Sequence, residues 1–185
     1  MKYFLGFLAT IVLVVVVFIL VIRGFTADRT PKDILVLADQ STSSLSVQYT
    51  VDGPVNSQQE HVGYRIIIDK NEAKIETYKG YQNEITSTKT YVNNTDAYGT
   101  FLRALDIAGF SKGVEPKDGK DSDERGVCAD GNRSTYEIKN SNQGDKRYWT
   151  TTCGGGTFKG DDNEVAALFE RQIPEFSRAV SELEL

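Results

Sequence analysis

One histidine, one methionine, one tryptophan, two cysteines and four prolines are spread through 185 residues, and each scarcity removes a class of chemistry. His61 is the sole imidazole available as a general base for a nucleophilic cysteine. It lies at the start of a strand, on the face opposite the apolar residues. A structural zinc site wants four ligands, which two cysteines and one distant histidine do not supply. There is no C-x-x-C for redox exchange, no G-x-S-x-G and no S-x-x-K. The glycines of "CGGGTF" (153–158) lack the lysine and hydroxyl of a phosphate-cradling loop. Asp118, Asp121, Asp123 and Glu124 miss the spacing of a calcium loop and are diluted by Lys117, Lys120 and Arg125, so residues 115–126 read as a solvated loop. No metal and no cofactor is expected.

An excess of positive charge is also missing. The chain carries a net −5. Setting aside Lys2 and Arg23 leaves 19 basic against 26 acidic residues, so the charge beyond the N-terminal segment is −7. Such a domain repels phosphate backbones and anionic headgroups, which argues against nucleic-acid binding and against a lipid-surface role.

What is present begins with a long apolar run. "YFLGFLATIVLVVVVFILVI", Tyr3 to Ile22, contains no charged residue. Twenty residues of helix span about 30 Å, the hydrocarbon thickness of a bilayer, and only a helix satisfies its own backbone groups there. A cleaved signal peptide has a shorter apolar core and a small-x-small site, whereas "RGFTADR" follows here, with Phe25 near the one plausible cut after Ala27. With no cysteine just after the run, a lipoprotein anchor is excluded. We therefore expect a signal anchor over 1–23, a juxtamembrane connector over 24–43 and a folded domain over 44–185. Arg23, Arg29 and Lys32 against Lys2 would place that domain inside; the cysteines argue the reverse.

In the connector, Thr30, Pro31 and Asp33 read as the start of a short helix that "STSS" ends. Period-two alternation follows. Leu45, Val47, Tyr49 and Val51 share one face, then Val62, Tyr64, Ile66 and Ile68, with Ser46, Gln48, Thr50, Arg65 and Asp69 opposite. "AKIETY" and the threonine-rich "EITSTKTYV" continue the pattern, and the short connections imply an antiparallel meander. The period then turns helical through Tyr98, Phe101, Leu102, Leu105 and Ala108, capped by Asn94 or Thr95 and ended by Gly109. Strands follow around "STYEIK" and "KRYWTTTC". A last helix opens with Asp161 and Glu164 in capping-box spacing and is kinked or restarted at Pro174. The order β-β-β-β-α-β-β-α predicts an α+β domain, an antiparallel sheet with two helices on its apolar face.

With nucleophile, metal and redox roles set aside, Cys128 and Cys153 read as a disulfide. It closes a loop of 26 residues, counting both cysteines, and by chain entropy adds about 3.5 kcal/mol. A structural bridge implies an oxidising compartment, so the domain is expected on the extracytoplasmic side. "NNT" at Asn93 and "NRS" at Asn132 match glycosylation acceptors, which matter in a eukaryotic secretory pathway. Gly6 and Thr10 form a small-xxx-small pair within the apolar run.

"VDGPV", "YRIIID", "YKGYQ", "NNTDAYGTFLRALDIAGF", "DERGVCADG", "WTTTC" and "LFERQIP" cover most of residues 47–175. In these stretches the chain resembles an uncharacterised family of single-pass, extracytoplasmic proteins of Saccharibacteria-type bacteria. The resemblance implies a membrane-tethered domain with its two cysteines paired, and it brings no activity. A type IV pilin shares the apolar N-terminus and a C-terminal disulfide loop. However, Ile11 stands where a pilin cleaved after Gly6 uses glutamate, and Gly24 and Pro31 interrupt the long first helix.

The leading expectation is a non-catalytic, membrane-anchored ectodomain that binds a macromolecular partner in the envelope or on a partner cell. The alternatives are a carboxylate-dependent hydrolase of cell wall or glycan, and a pilin-like subunit. By alternation Trp149, Thr151 and Cys153 point inward and Tyr148, Thr150 and Thr152 outward, with Thr135, Glu137 and Lys139 outward on the preceding strand. Arg147 begins the last strand, where alternation does not decide its side; Tyr148, Glu137, Lys139 and Arg147 are the candidate partner surface, with Tyr148 as its aromatic anchor.

Overall fold

The computed structural model describes residues 36–41, 44–114, 127–140, 144–181 and 183. The expected anchor over 3–22, the capped turn at Thr30 and the acidic loop over 115–126 lie outside them. Among the described residues no helix is long and apolar enough to cross a membrane.

Six strands form one antiparallel sheet: β1 Ser46–Asp52, β2 Val62–Ile68, β3 Glu72–Lys79, β4 Glu84–Val92, β5 Arg133–Lys139 and β6 Lys146–Thr151. Their spatial order is β4-β3-β2-β1-β5-β6. The first four strands are the expected meander. After helix α1, Thr95–Ala108, the chain returns to the free side of β1, so the oldest strand of the meander becomes a central one. Among the described residues, helices α2, Asp162–Glu170, and α3, Phe176–Val180, complete the elements, with a 3-10 turn at Leu37–Gln40. The α+β class and the disulfide agree with expectation, and the second helix divides in two at Pro174.

Local chemistry sets these boundaries. Asn94 caps α1 by accepting from the Ala97 N–H at 2.9 Å, and Gly109 ends it in the left-handed region at φ 77°. Asp161 caps α2 by accepting from the Glu164 N–H at 3.0 Å. The 3-10 turn is held from a distance, because the Asp106 carboxylate of α1 accepts from the N–H groups of Leu37 and Ala38 at 3.1 and 2.9 Å.

The helices cover one face of the sheet, and the core between them is aromatic. Phe169 of α2 sits 5.2 to 5.6 Å from the rings of Phe101, Phe110 and Tyr49. Tyr136 stacks on Phe158 at 3.9 Å. Tyr49, Tyr64 and Tyr136 pack within this cluster, and burial, the largest influence on each, lifts their phenols above the usual range. Every residue of the two apolar series Leu45–Val51 and Val62–Ile68 named from alternation is buried here.

At Trp149 and Thr150 the outer edge of β6 is covered by the chain itself. After Cys153 the segment doubles back, and the N–H groups of Thr157 and Phe158 donate to the Trp149 carbonyl at 2.9 and 3.1 Å. Gly156, at φ 132°, bridges to Thr150, and a β-carbon there would collide with the Trp149 carbonyl. The glycine run of the "CGGGTF" stretch therefore builds a hairpin-like hook along an edge strand.

Candidate functional site

The other face of the sheet is polar, and the pairing register lays it out in rows. Across β6, β5, β1 and β3 the first row reads Thr151, Arg133, Asp52, Tyr78, with Gly63 of β2 between the last two. The second reads Trp149, Thr135, Thr50, Arg65 and Glu76 from β6 to β3, and the third Arg147, Glu137, Gln48, Ile67 and Lys74. Lys139 lies beyond Glu137 on the same face of β5. A cavity of about 410 Å³ opens on these rows, floored by Gln48, Thr50 and Thr135.

At one end Asp52 organises a buried cluster. Its carboxylate accepts from Tyr78 Oη at 2.7 Å and from Arg133 Nη2 at 2.6 Å. His61 Nε2 stands 3.7 Å from the same carboxylate. The contact of His61 Nδ1 with the Pro54 carbonyl, 3.1 Å, requires a proton on Nδ1, because a carbonyl can only accept. Tyr78 reaches Asp52 across a whole intervening strand. That passage exists because Gly63 has no side chain: a β-carbon there would lie 2.6 Å from the Tyr78 ring. Burial first, and then the Asp52 charge, hold the Tyr78 phenol far above its usual range, so it remains a hydrogen-bond donor.

The rim above this cluster is the 53–61 loop, tied to the β3–β4 turn. Tyr81 Oη donates to the Asn56 carbonyl at 2.8 Å, and its ring stacks on His61 at 4.2 Å. Toward the sheet's middle, Glu76 is gripped by Arg65 and by Lys74, the latter at 3.0 Å. Burial alone would raise the Glu76 carboxyl; the hydrogen bonds from Arg65 and Lys74 outweigh it and hold the group below the ordinary carboxylate range. At the opposite end from His61, Gln48 donates to both Glu137 and Thr50.

The sequence-derived surface is thus partly assembled and partly corrected. Glu137, Lys139 and Arg147 do share the polar face and line the cavity. Tyr148 does not. It stands directly opposite Tyr136 and belongs to the helix-covered core, 3% exposed. Trp149, expected inward, is on the polar face beside Thr135, and it too is buried. Cys153 is exposed, not in the core, and its bridge to the buried Cys128 spans 5.7 Å between α-carbons. The physical reason is the β5–β6 register, which turns Tyr148, Trp149, Thr150 and Thr151 to the faces opposite those expected and leaves Arg147 on the polar one.

Asp52, His61, Gly63, Tyr78 and Arg133 escaped sequence reasoning, because they come from four strands and a loop. Gly63, a glycine inside a strand of β-branched and aromatic residues, was the visible signal of a close approach.

The cavity's two carboxylates, Asp52 and Glu137, stand on different rows of the sheet. Glu137 pairs with Gln48, four residues from Asp52 along β1, a rise of about 13 Å. Among the described residues no group of three or more His, Cys, Asp or Glu is arranged to hold a metal ion. Comparison with protein-family models, with curated proteins and with solved structures found no match.

Proposed function

We propose that the chain is a non-catalytic ectodomain, anchored by residues 3–22 and facing outward from the cell membrane, that binds a macromolecular partner of the envelope or of a partner cell. The same proposal groups it with the single-pass Saccharibacteria-type proteins it resembles. The observation that carries the binding reading is the cavity on the uncovered sheet face. Helices bury one face of the sheet, while the other presents a concave array of amides, hydroxyls and charges built on five strands. A recognition surface on strands is positioned more firmly than one on loops. The Asp52 cluster supports binding over turnover: its carboxylate is already engaged by Tyr78 and Arg133, leaving it poorly placed for proton transfer to a substrate.

The test uses the full chain in detergent micelles and isolated cell envelopes. Saturable binding that falls at least tenfold in a Lys139→Glu/Arg147→Glu variant of unchanged melting temperature is the expected result. Absence of saturable binding, undiminished binding by the variant, or hydrolysis of envelope material would each defeat the reading.

A further inference from the structure

We infer that the ligand of this cavity is an anionic saccharide, a hydroxyl-rich chain bearing carboxylate or phosphate groups; the inference rests on the binding reading above.

Charge comes first. The chain as a whole is −5, yet the cavity is lined by Arg65, Arg133, Lys139 and Arg147 against Asp52 and Glu137. The local sign is opposite to that of the molecule. A concave site walled by low-dielectric protein focuses such a field, and the acidic remainder repels anions from everywhere else. Lys139 and Arg147, both exposed, place the outermost positive charge at the end of the cavity remote from His61.

The lining supplies the second argument. Among the described residues it contains no aliphatic side chain: Gln48, Thr50, Asn83 and Thr135 offer amides and hydroxyls, and the apolar surface comes from Tyr78, Tyr81 and the His61 ring. Peptide partners are held by apolar pockets for their side chains or by addition of a strand to a sheet edge. Neither is available here, because β1, β2 and β5 are interior strands whose backbone groups are committed to neighbours on both sides. Neighbouring strands are about 4.8 Å apart, so Gln48, Thr50 and Thr135 form a lattice of donors and acceptors suited to successive hydroxyls.

Size supplies the third. From the Gln48–Glu137 row to the Asp52 row is about 13 Å, and the volume is about 410 Å³, within the ordinary range of ligand sites. That is far more room than a lone phosphate fills. The exposed Tyr81 ring, buttressed by His61, closes the far end.

Titration calorimetry on the full chain in detergent micelles tests this with four probes of matched length: an oligogalacturonate, a phosphorylated mannose oligomer, a neutral dextran oligomer and oligoglutamate. Saturable binding of either anionic saccharide at least tenfold tighter than the dextran, weakening with salt and lost in Lys139→Glu/Arg147→Glu, supports the inference, and the first two probes distinguish carboxylate from phosphate. Equal binding of dextran, or tighter binding of oligoglutamate, overturns the ligand class while leaving the cavity a binding site. No binding of any probe also overturns it, and envelope binding then judges the broader reading separately. Binding that the double variant leaves intact removes the cavity itself, and both proposals fall together.

Discussion

Tyr136 of β5 and Tyr148 of β6 are direct cross-strand partners, and both rings lie in the helix-covered core. One consequence is a sharp stability cost at a position that alternation assigns to solvent. Tyr148→Ala should destabilise the fold by about 3–5 kcal/mol, as large aromatic truncations do, measured by urea denaturation. A stability within a few tenths of wild type would place this ring outside the core.

Asp52→Asn should be equally severe for a different reason. It leaves the Arg133 guanidinium, 2.6 Å away, without its counter-charge, and breaking a buried pair from one side costs about 3–5 kcal/mol. Gly63→Val should mimic part of that loss by blocking the path of Tyr78. A double-mutant cycle with Tyr78→Phe measures the coupling; additive effects of Gly63→Val and Tyr78→Phe would show that the passage over Gly63 is irrelevant.

The bridge makes its own forecast. Mass spectrometry of unreduced digests should find the Cys128 and Cys153 peptides linked, as their pairing requires. Cys153→Ser should cost about 2–5 kcal/mol and free the hook from the edge of β6. Two free thiols in protein recovered from the cell would contradict it.

Two glutamates should tilt the pH dependence of stability in opposite directions. The Glu76 carboxyl is held low, since hydrogen bonds from Arg65 and Lys74 exceed the effect of burial. Its contribution is therefore present above the unfolded carboxylate value of about 4.3 and is lost as pH falls through the lower folded value. Glu170 is raised by burial, so its folded state prefers the proton and is penalised as pH rises through its raised value. Glu76→Gln should flatten the acid limb of a stability–pH curve, and Glu170→Gln should raise stability at neutral pH. The reverse pair of signs would refute both assignments.

The proposed orientation has a direct check. If the apolar run crosses the bilayer once, as proposed, protease added to intact spheroplasts should digest the chain beyond about residue 24. Full protection would put the domain inside, as the flanking charges alone suggest.

Where structure is local, the sequence discloses it. Asn94, Gly109 and Asp161 act on their own helix termini, and the alternation of β1 and β2 has an unambiguous apolar set. In β6 the adjacent Tyr148 and Trp149 are both large and aromatic, so alternation has two solutions. The one adopted is fixed by which residue meets Tyr136 across the ladder. The cavity was illegible for a related reason. Asp52 and Arg133 are 81 positions apart and become neighbours through the β1–β5 pairing, which only the return of the chain after α1 creates. Glu137, Lys139 and Arg147 were found on a correct reading of β5 and a start of β6 that happened to share its face.

The hook after Cys153 has a bearing on assembly. It obstructs the outer edge of β6 at Trp149 and Thr150, while β4, nine residues long and exposed along nearly its whole length, forms the opposite border of the sheet. A sheet open at both borders can add copies indefinitely, which is the geometry of a fibre. With one border obstructed, strand-to-strand association favours a single direction of growth. Two copies joined through β4 would leave only obstructed borders outward, and growth beyond the pair would be disfavoured.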